Sequence, residues 1–232
     1  MFKFNKGIDI VQEIGKISTF DGAIQLLEDK LDGNHFKRIG SFKNVNILLK
    51  IANAIQMCEP DQVVINTGSE EDRQFIRDLA LQKGEEERLP IDGHTIHFDL
   101  KEEQGRIIDR TYYVANDDEL VSSLANRMSR PDALQTIRKG MGGIMRGKTM
   151  IVGFYSRGPA GSPVSNPAIE ITSSAYVAHS AELLYRNTYS QFEKEAERLG
   201  HFYTNIHSEG LNRPEDLPDA RVLMDRSHRT TY

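Results

Sequence analysis

The sequence has 232 residues, 38% hydrophobic and 27% charged, with a formal net charge of −5 and one cysteine, Cys58. A chain of this length buries a core without covalent staples, and its balanced composition excludes an intrinsically disordered polymer. The lone cysteine excludes an internal disulfide framework, a cysteine-rich zinc site and a paired-thiol redox motif, and it points to a cytoplasmic setting. The acidic balance offers no general field for nucleic-acid phosphates, and the most apolar stretch, 47–55, is broken by Lys50 and Asn53. Residues 1–12 alternate polar and apolar side chains without the apolar core of a signal peptide, so neither nucleic acid nor a membrane is an expected partner.

Two amphipathic helices are predicted first. One carries the stripe Ile24, Leu26, Leu27 and Leu31; the next a wider stripe of Val45, Leu48, Leu49, Ala52, Ile55 and Met57. Glu59-Pro60-Asp61 ends the second, and the β-branched run 62–66 reads as a buried strand turning at Thr67-Gly68. Ser69 with Asp72 three residues on is a helix-start signal, followed by the stripe Phe75, Ile76, Leu79 and Ala80 and a stop at Gly84. Two short β-like pieces, 94–98 and 111–114, flank a polar loop holding Lys101, Glu102, Glu103, Gln104, Gly105 and Arg106.

Ser129 before Arg130-Pro131 starts a helix expected to run through Lys139 and stop at Gly140. Residues 148–156 and 168–172 are predicted strands, joined by a loop whose two glycines and two prolines force a tight turn. Ser173 or Ser174 caps a helix running toward Asn187, with Tyr176, Val177, Leu183 and Leu184 expected inward. A more polar helix follows over about 190–199, then strands over 202–206 and 220–224. Intermixed strands and helices without an internal repeat define an α/β class, a mixed sheet with flanking helices, and residues 1–232 are read as a single domain.

Gly142-Gly143-Ile144-Met145-Arg146-Gly147-Lys148-Thr149 satisfies the phosphate-loop pattern G-x-x-x-x-G-K-[ST] letter for letter. That motif works where a strand leads into the glycines and a helix leaves them, so that backbone N–H groups converge on phosphates. Here the order is reversed, a helix before and a strand after, and a glycine turn feeding a strand is the expected reading. A nucleotide hydrolase built on this motif is the less favoured alternative. His94, His97 and His207 raise a metal site as a possibility, but strand positions three apart face opposite sides, which argues against His94 and His97 acting together.

Residues 145–177, with Met145-Arg146-Gly147-Lys148-Thr149-Met150, Gly158-Pro159-Ala160-Gly161-Ser162-Pro163-Val164-Ser165 and Ile169-Glu170-Ile171-Thr172-Ser173-Ser174-Ala175-Tyr176-Val177, resemble the GTP-dependent phosphoenolpyruvate carboxykinases. The family patterns there are M-[KR]-G-[KR]-T-M, G-P-x-G-S-P-x-S and I-E-[IL]-T-[DS]-S-x-Y-V. Cys58-Glu59-Pro60-Asp61 with Gly68-Ser69-Glu70-Glu71, the stretch 106–114 against A-R-I-E-x-[KR]-T-x-x-V, and His207-Ser208-Glu209-Gly210 add weaker likenesses in the same order. The likeness runs from about residue 45 to the end, with 1–44 a weakly matched helical lead-in.

The resemblance implies the fold of the family's N-terminal domain and a part in converting oxaloacetate and GTP to phosphoenolpyruvate, GDP and carbon dioxide, a decarboxylating lyase step of gluconeogenesis. It implies Mn2+ or Mg2+ and GTP as cofactors of the whole enzyme. The family's glycine-rich substrate loop, metal ligands and nucleotide loop follow the segment resembling 225–232, so this chain alone is expected to bind neither cofactor and to act with a missing C-terminal domain. Arg106 stands where the family places an arginine that grips the substrate carboxylate, and no catalytic or metal-ligating residue is expected here. Read without the resemblance, an arginine beside Glu102, Glu103 and Asp109 is a solvated salt-bridge partner. A stand-alone binding or regulatory module that kept the fold and lost the chemistry is the other alternative.

Overall fold

The computed structural model describes residue 7 and residues 9–99, 108–116, 119–210 and 217–232. The chain opens with helices α1 (Ile10–Gly15), α2 (Phe20–Lys30), α3 (Gly33–Ile39) and α4 (Val45–Cys58). Strand β1 (Gln62–Asn66) and helix α5 (Glu70–Gln82) follow, then the two-residue strands β2 (Glu87–Arg88) and β3 (Thr95–Ile96), which pair only with each other. Next come β4 (Thr111–Val114), β5 (Asn126–Met128), α6 (Arg130–Met141), β6 (Thr149–Ser156), β7 (Pro167–Thr172), α7 (Ala175–Leu184) and β8 (Arg186–Asn187). Helix α8 (Phe192–Leu199) and strands β9 (Tyr203–His207), β10 (Val222–Asp225) and β11 (Thr230–Thr231) complete it.

Among the described residues nine strands form one mixed sheet in the order β1-β6-β7-β9-β11-β10-β4-β5, with β8 also on β6. Pairing is parallel for β1–β6, β7–β9, β9–β11, β10–β4 and β4–β5, and antiparallel for β6–β7, β6–β8 and β10–β11. One edge of the sheet therefore gathers the starts of β1, β6, β10, β4 and β5 with the ends of β7, β9 and β11. This is the α/β arrangement expected from the sequence.

Strand β6 is buried along nearly its whole length because helices cover both faces. Met150, Val152 and Phe154 join the main core with Ile10, Leu27, Ile47, Ile51 and Ile137, while Ile151 on the opposite face packs with Ile76, Ala80, Ala175 and Ala178 of α5 and α7. Helix α4 is buried beyond the predicted stripe, since Ile47, Ile51, Ala54 and Cys58 are inside as well, whereas Val45, its first residue, is exposed.

Helix α7 corrects the sequence reading. Leu183 and Leu184 are 74% and 71% exposed, and the buried stripe is Ala175, Ala178 and Ala181. Three alanines at a spacing of three let α7 lie close against α5, and the helix ends at Leu184 so that the chain can return as β8. Phe75 is likewise 42% exposed although it was placed on the inward stripe of α5. Helix α6 passes through Gly140 and ends at Met141, and the predicted strand 94–98 contracts to β3 outside the main sheet. The caps are as read. Ser69 Oγ accepts from the Asp72 amide, Ser129 Oγ from the Asp132 amide and Ser174 Oγ from the Val177 amide. The Asp72 carboxylate does not complete a capping box; it accepts from Arg38 at 2.9 Å and from the Thr67 amide at 2.8 Å.

Candidate functional site

Three of the motifs quoted above come together at the sheet edge where β7 and β9 end and β6 begins. Lys148 precedes β6, Thr172-Ser173-Ser174 closes β7, and His207-Ser208-Glu209 closes β9. Parallel pairing sets Thr172 opposite His207. Their side chains meet at 3.0 Å between Thr172 Oγ1 and His207 Nδ1, and the hydroxyls of Ser173 and Ser208 lie 2.8 Å apart. Neighbouring positions on adjacent strands are thus cross-linked by polar contacts, which holds both strand ends in register.

The segment after α5 closes the same edge with charge. Lys83 donates to the Ser173 carbonyl at 3.0 Å and stands 3.6 Å from the Glu85 carboxylate. Glu85 accepts from Ser174 Oγ at 2.8 Å and from the Tyr176 amide at 2.7 Å, filling the N-terminus of α7. Among the described residues the half-buried Lys148 ammonium meets no hydrogen-bond or ion-pair partner. Burial, and then the like charge of Lys83, hold its pKa below the usual lysine value against the opposing pull of Glu209 and Glu85. His207 is also held below the ordinary histidine value, first by burial, with Glu85 opposing and Lys148 assisting. The edge is therefore a dense mixture of both signs around hydroxyls, suited to orienting a small polar anion rather than to general phosphate attraction.

Arg106 lies outside the described residues, together with the rest of 100–107. Both of its flanks are placed. Upstream, the His97 ring stacks on Tyr176 of α7 with centroids 3.5 Å apart, and its Nε2 is 2.7 Å from Asp99 Oδ1. Downstream, a 3₁₀ turn over Ile108–Arg110 leads into β4; Asn126 donates to the Ile108 and Thr111 carbonyls, and the Tyr112 hydroxyl to the Asp109 carbonyl at 2.9 Å. The A-R-I-E likeness departs at Ile108, a 72% exposed isoleucine where the pattern has glutamate. Sequence reasoning passed over Lys148 as a letter of a rejected motif, and it missed Glu85 and Tyr176; their signal is the common edge to which their strands and helices lead.

The phosphate-loop letters occupy the turn between α6 and β6, helix first and strand second, as the sequence reading held. The amides such a loop would offer are already used. Gly143 donates to the Met57 carbonyl and Met145 to the Cys58 carbonyl, both at 2.9 Å, and Gly147 donates to Asp61 Oδ1 at 2.8 Å. Isothermal titration of the chain with Mg-GTP or Mg-ATP is expected to give no saturable heat, and micromolar binding by either nucleotide would contradict the assignment of these amides.

The loop after β6 belongs to the other edge of the sheet. Ser156 Oγ donates to the Gly158 carbonyl at 2.6 Å and accepts from the Asn166 amide, while a Cβ at Gly158 would stand 2.2 Å from the Val164 carbonyl oxygen. Its composition serves the turn. Burial raises the Cys58 thiol to about 12, which removes it as a nucleophile. Among the described residues no three His, Cys, Asp or Glu side chains gather as metal ligands, and no helix is long and apolar enough to cross a membrane.

A mixed sheet with helices on both faces and a polar edge assembled from strand ends defines an α/β domain. Residues 50–232 match the family described as phosphoenolpyruvate carboxykinase N-terminal domain, and the chain belongs to that family. It is 37% identical over 217 residues to the phosphoenolpyruvate carboxykinase [GTP] of Pyrococcus furiosus and 33% identical over 210 residues to that of Saccharolobus solfataricus, in each case over 90% of this chain. A cytosolic phosphoenolpyruvate carboxykinase [GTP] of Bos taurus is 29% identical over 177 residues, 72% of this chain. The chain spans about a third of the length of the curated relatives it matches, 34% for the Pyrococcus furiosus protein.

Proposed function

We propose that this chain forms the substrate-recognition face of a GTP-dependent phosphoenolpyruvate carboxykinase and that Arg106 holds a carboxylate of oxaloacetate or phosphoenolpyruvate. The observation that carries the reading is the convergence of the family-like segments at Lys148, Thr172 to Ser174 and His207 to Glu209 on one sheet edge. The segment containing Arg106 has its upstream root on α7 beside that edge and its downstream root at the start of β4, with the ends of β9 and β11 and the start of β10 between them.

The chemistry suits the residue type. Oxaloacetate and phosphoenolpyruvate are small polyanions, and a guanidinium grips a carboxylate through two parallel N–H···O bonds that set its direction as well as its position. Direction matters because decarboxylation requires the breaking C–C bond to align with the adjacent carbonyl π system. Manganese or magnesium and GTP are the cofactors this reading gives to the whole enzyme. In this reading they are bound by the two thirds of the relatives that the chain does not span. The cytosolic designation of the bovine relative supports a cytoplasmic setting.

The test is a fusion of this chain to the remaining two thirds of the Pyrococcus furiosus relative. It is expected to form phosphoenolpyruvate from oxaloacetate in a GTP-dependent reaction. A folded fusion that binds GTP and turns nothing over would overturn the reading.

A further inference from the structure

We propose that His35 and Arg38 of helix α3 form a latch over the open edge of the sheet at β1, and that His35 is its acid-sensitive half. Strand β1 ends the strand order, with β6 on one side and, among the described residues, no strand on the other. An uncovered strand edge offers its amides and carbonyls to any extended chain, so its outward backbone groups need partners of their own. Helix α3 supplies them as side chains. The Ile65 amide donates to His35 Nδ1 at 3.1 Å, and Arg38 Nη1 donates to the Ile65 carbonyl at 2.8 Å. The two side chains are three positions apart and so share one face of α3. Arg38 Nη1 also reaches Asp72 Oδ1 at 2.9 Å, and the Tyr189 hydroxyl donates to the Arg38 carbonyl at 2.8 Å. The latch therefore joins the first turn of α5 and the segment after β8 to the same helix.

A backbone amide only donates, so the bond from Ile65 requires a lone pair on Nδ1 and places the ring hydrogen on Nε2. Nε2 lies 3.9 Å from Asp32 Oδ2, a carboxylate toward which that hydrogen is directed. The charged groups around the ring are Asp32 at the start of α3, Arg38 with Nη1 3.4 Å from Nδ1, and Asp72 of α5, while β1 carries no ionisable side chain. Burial first, and then Arg38, hold the His35 pKa below its ordinary 6.5 against the pull of Asp32 and Asp72. A histidine lowered in this way contributes its bond fully above 6.5, and the contribution is lost as pH falls through the lower native value. Below that point Nδ1 gains a hydrogen that faces the Ile65 N–H and the Arg38 guanidinium. The bond is lost and the outer edge of β1 is uncovered.

The experiment uses the chain itself. Histidine ring 15N spectra and hydrogen exchange of the Ile65 amide are followed from about pH 8 down to about pH 4.5. At neutral pH His35 is expected to carry hydrogen on Nε2 alone, and to titrate below 6.5. Between 6.5 and that midpoint the protection of the Ile65 amide, measured relative to the Val152 amide inside β6, is expected to fall by about tenfold per pH unit, the dependence of one proton taken up on opening. His35→Asn keeps an acceptor oxygen at the place of Nδ1 and cannot titrate, so the relative protection is expected to stay level across the range. Hydrogen on Nδ1 at neutral pH, a His35 midpoint at or above 6.5, or an Ile65 amide blind to that midpoint would overturn the proposal. Each of these is read on the unsubstituted chain and decides whether or not the variant folds.

Discussion

Asp225→Ala is expected to destabilise the chain by about 3–5 kcal/mol, measured as a lowered urea midpoint at neutral pH, because it takes away the two-pronged carboxylate partner of a buried guanidinium. Asp225 is 1% exposed and Arg130 5% exposed. Arg130 Nη1 donates to Oδ2 at 2.7 Å and Nη2 to Oδ1 at 3.0 Å, the two-pronged arrangement that makes such pairs strong. The same carboxylate receives the amides of Ser227 at 3.1 Å and His228 at 3.3 Å, and the His228 ring stands 3.0 Å away. One side chain thereby ties the first residue of α6 to the end of β10 and to the turn that leads into β11.

The pair also sets an acid limb. Burial by itself would raise the Asp225 carboxyl, but hydrogen bonds from His228 and Arg130 bring it down to about 2 from 3.8. A depressed carboxylate contributes its stability fully above 3.8, and that stability is lost as pH falls toward 2. Urea midpoints followed downward across that interval should fall more steeply for the wild type than for Asp225→Ala. Replacing both partners, Arg130→Met with Asp225→Leu, should cost less than Asp225→Ala alone, since both members of the buried pair are then replaced by apolar side chains.

Much of this architecture is legible before any coordinates are seen, for local reasons. Residues 62–66 and 111–114 are observed strands residue for residue, because runs of β-branched and aromatic residues bounded by proline, glycine or polar turns leave few other conformations. Ser69, Ser129 and Ser174 cap helices because the hydroxyl-to-amide bond is encoded within three residues. Hydropathy misled where packing distance mattered more. On α7 the leucines are conspicuous and the alanines are not, yet close approach to α5 selects the alanines. The strands β8 and β11 have two residues each and exist only through their neighbours β6, β9 and β10, which no local pattern reports.

The candidate site divides in the same way. The segments at Lys148, Thr172 and His207 are visible as motifs, but that they share an edge depends on strand directions in a mixed sheet, a long-range property. Glu85 carries no motif. It matters because its carboxylate satisfies the start of α7 and its carbonyl receives His97.

The measurement that bears most directly on the account is steady-state kinetics of Arg106→Ala in a carboxykinase that carries this domain. Loss of a charge-assisted fork on the substrate is expected to lower kcat/KM for oxaloacetate by about 30- to 150-fold, corresponding to about 2–3 kcal/mol of transition-state stabilisation, with the thermal midpoint unchanged. Arg106→Lys should recover part of that loss, since an ammonium keeps the charge and lacks the planar fork. A kcat/KM for Arg106→Ala equal to that of the wild type would contradict the account and leave the sheet edge without its substrate.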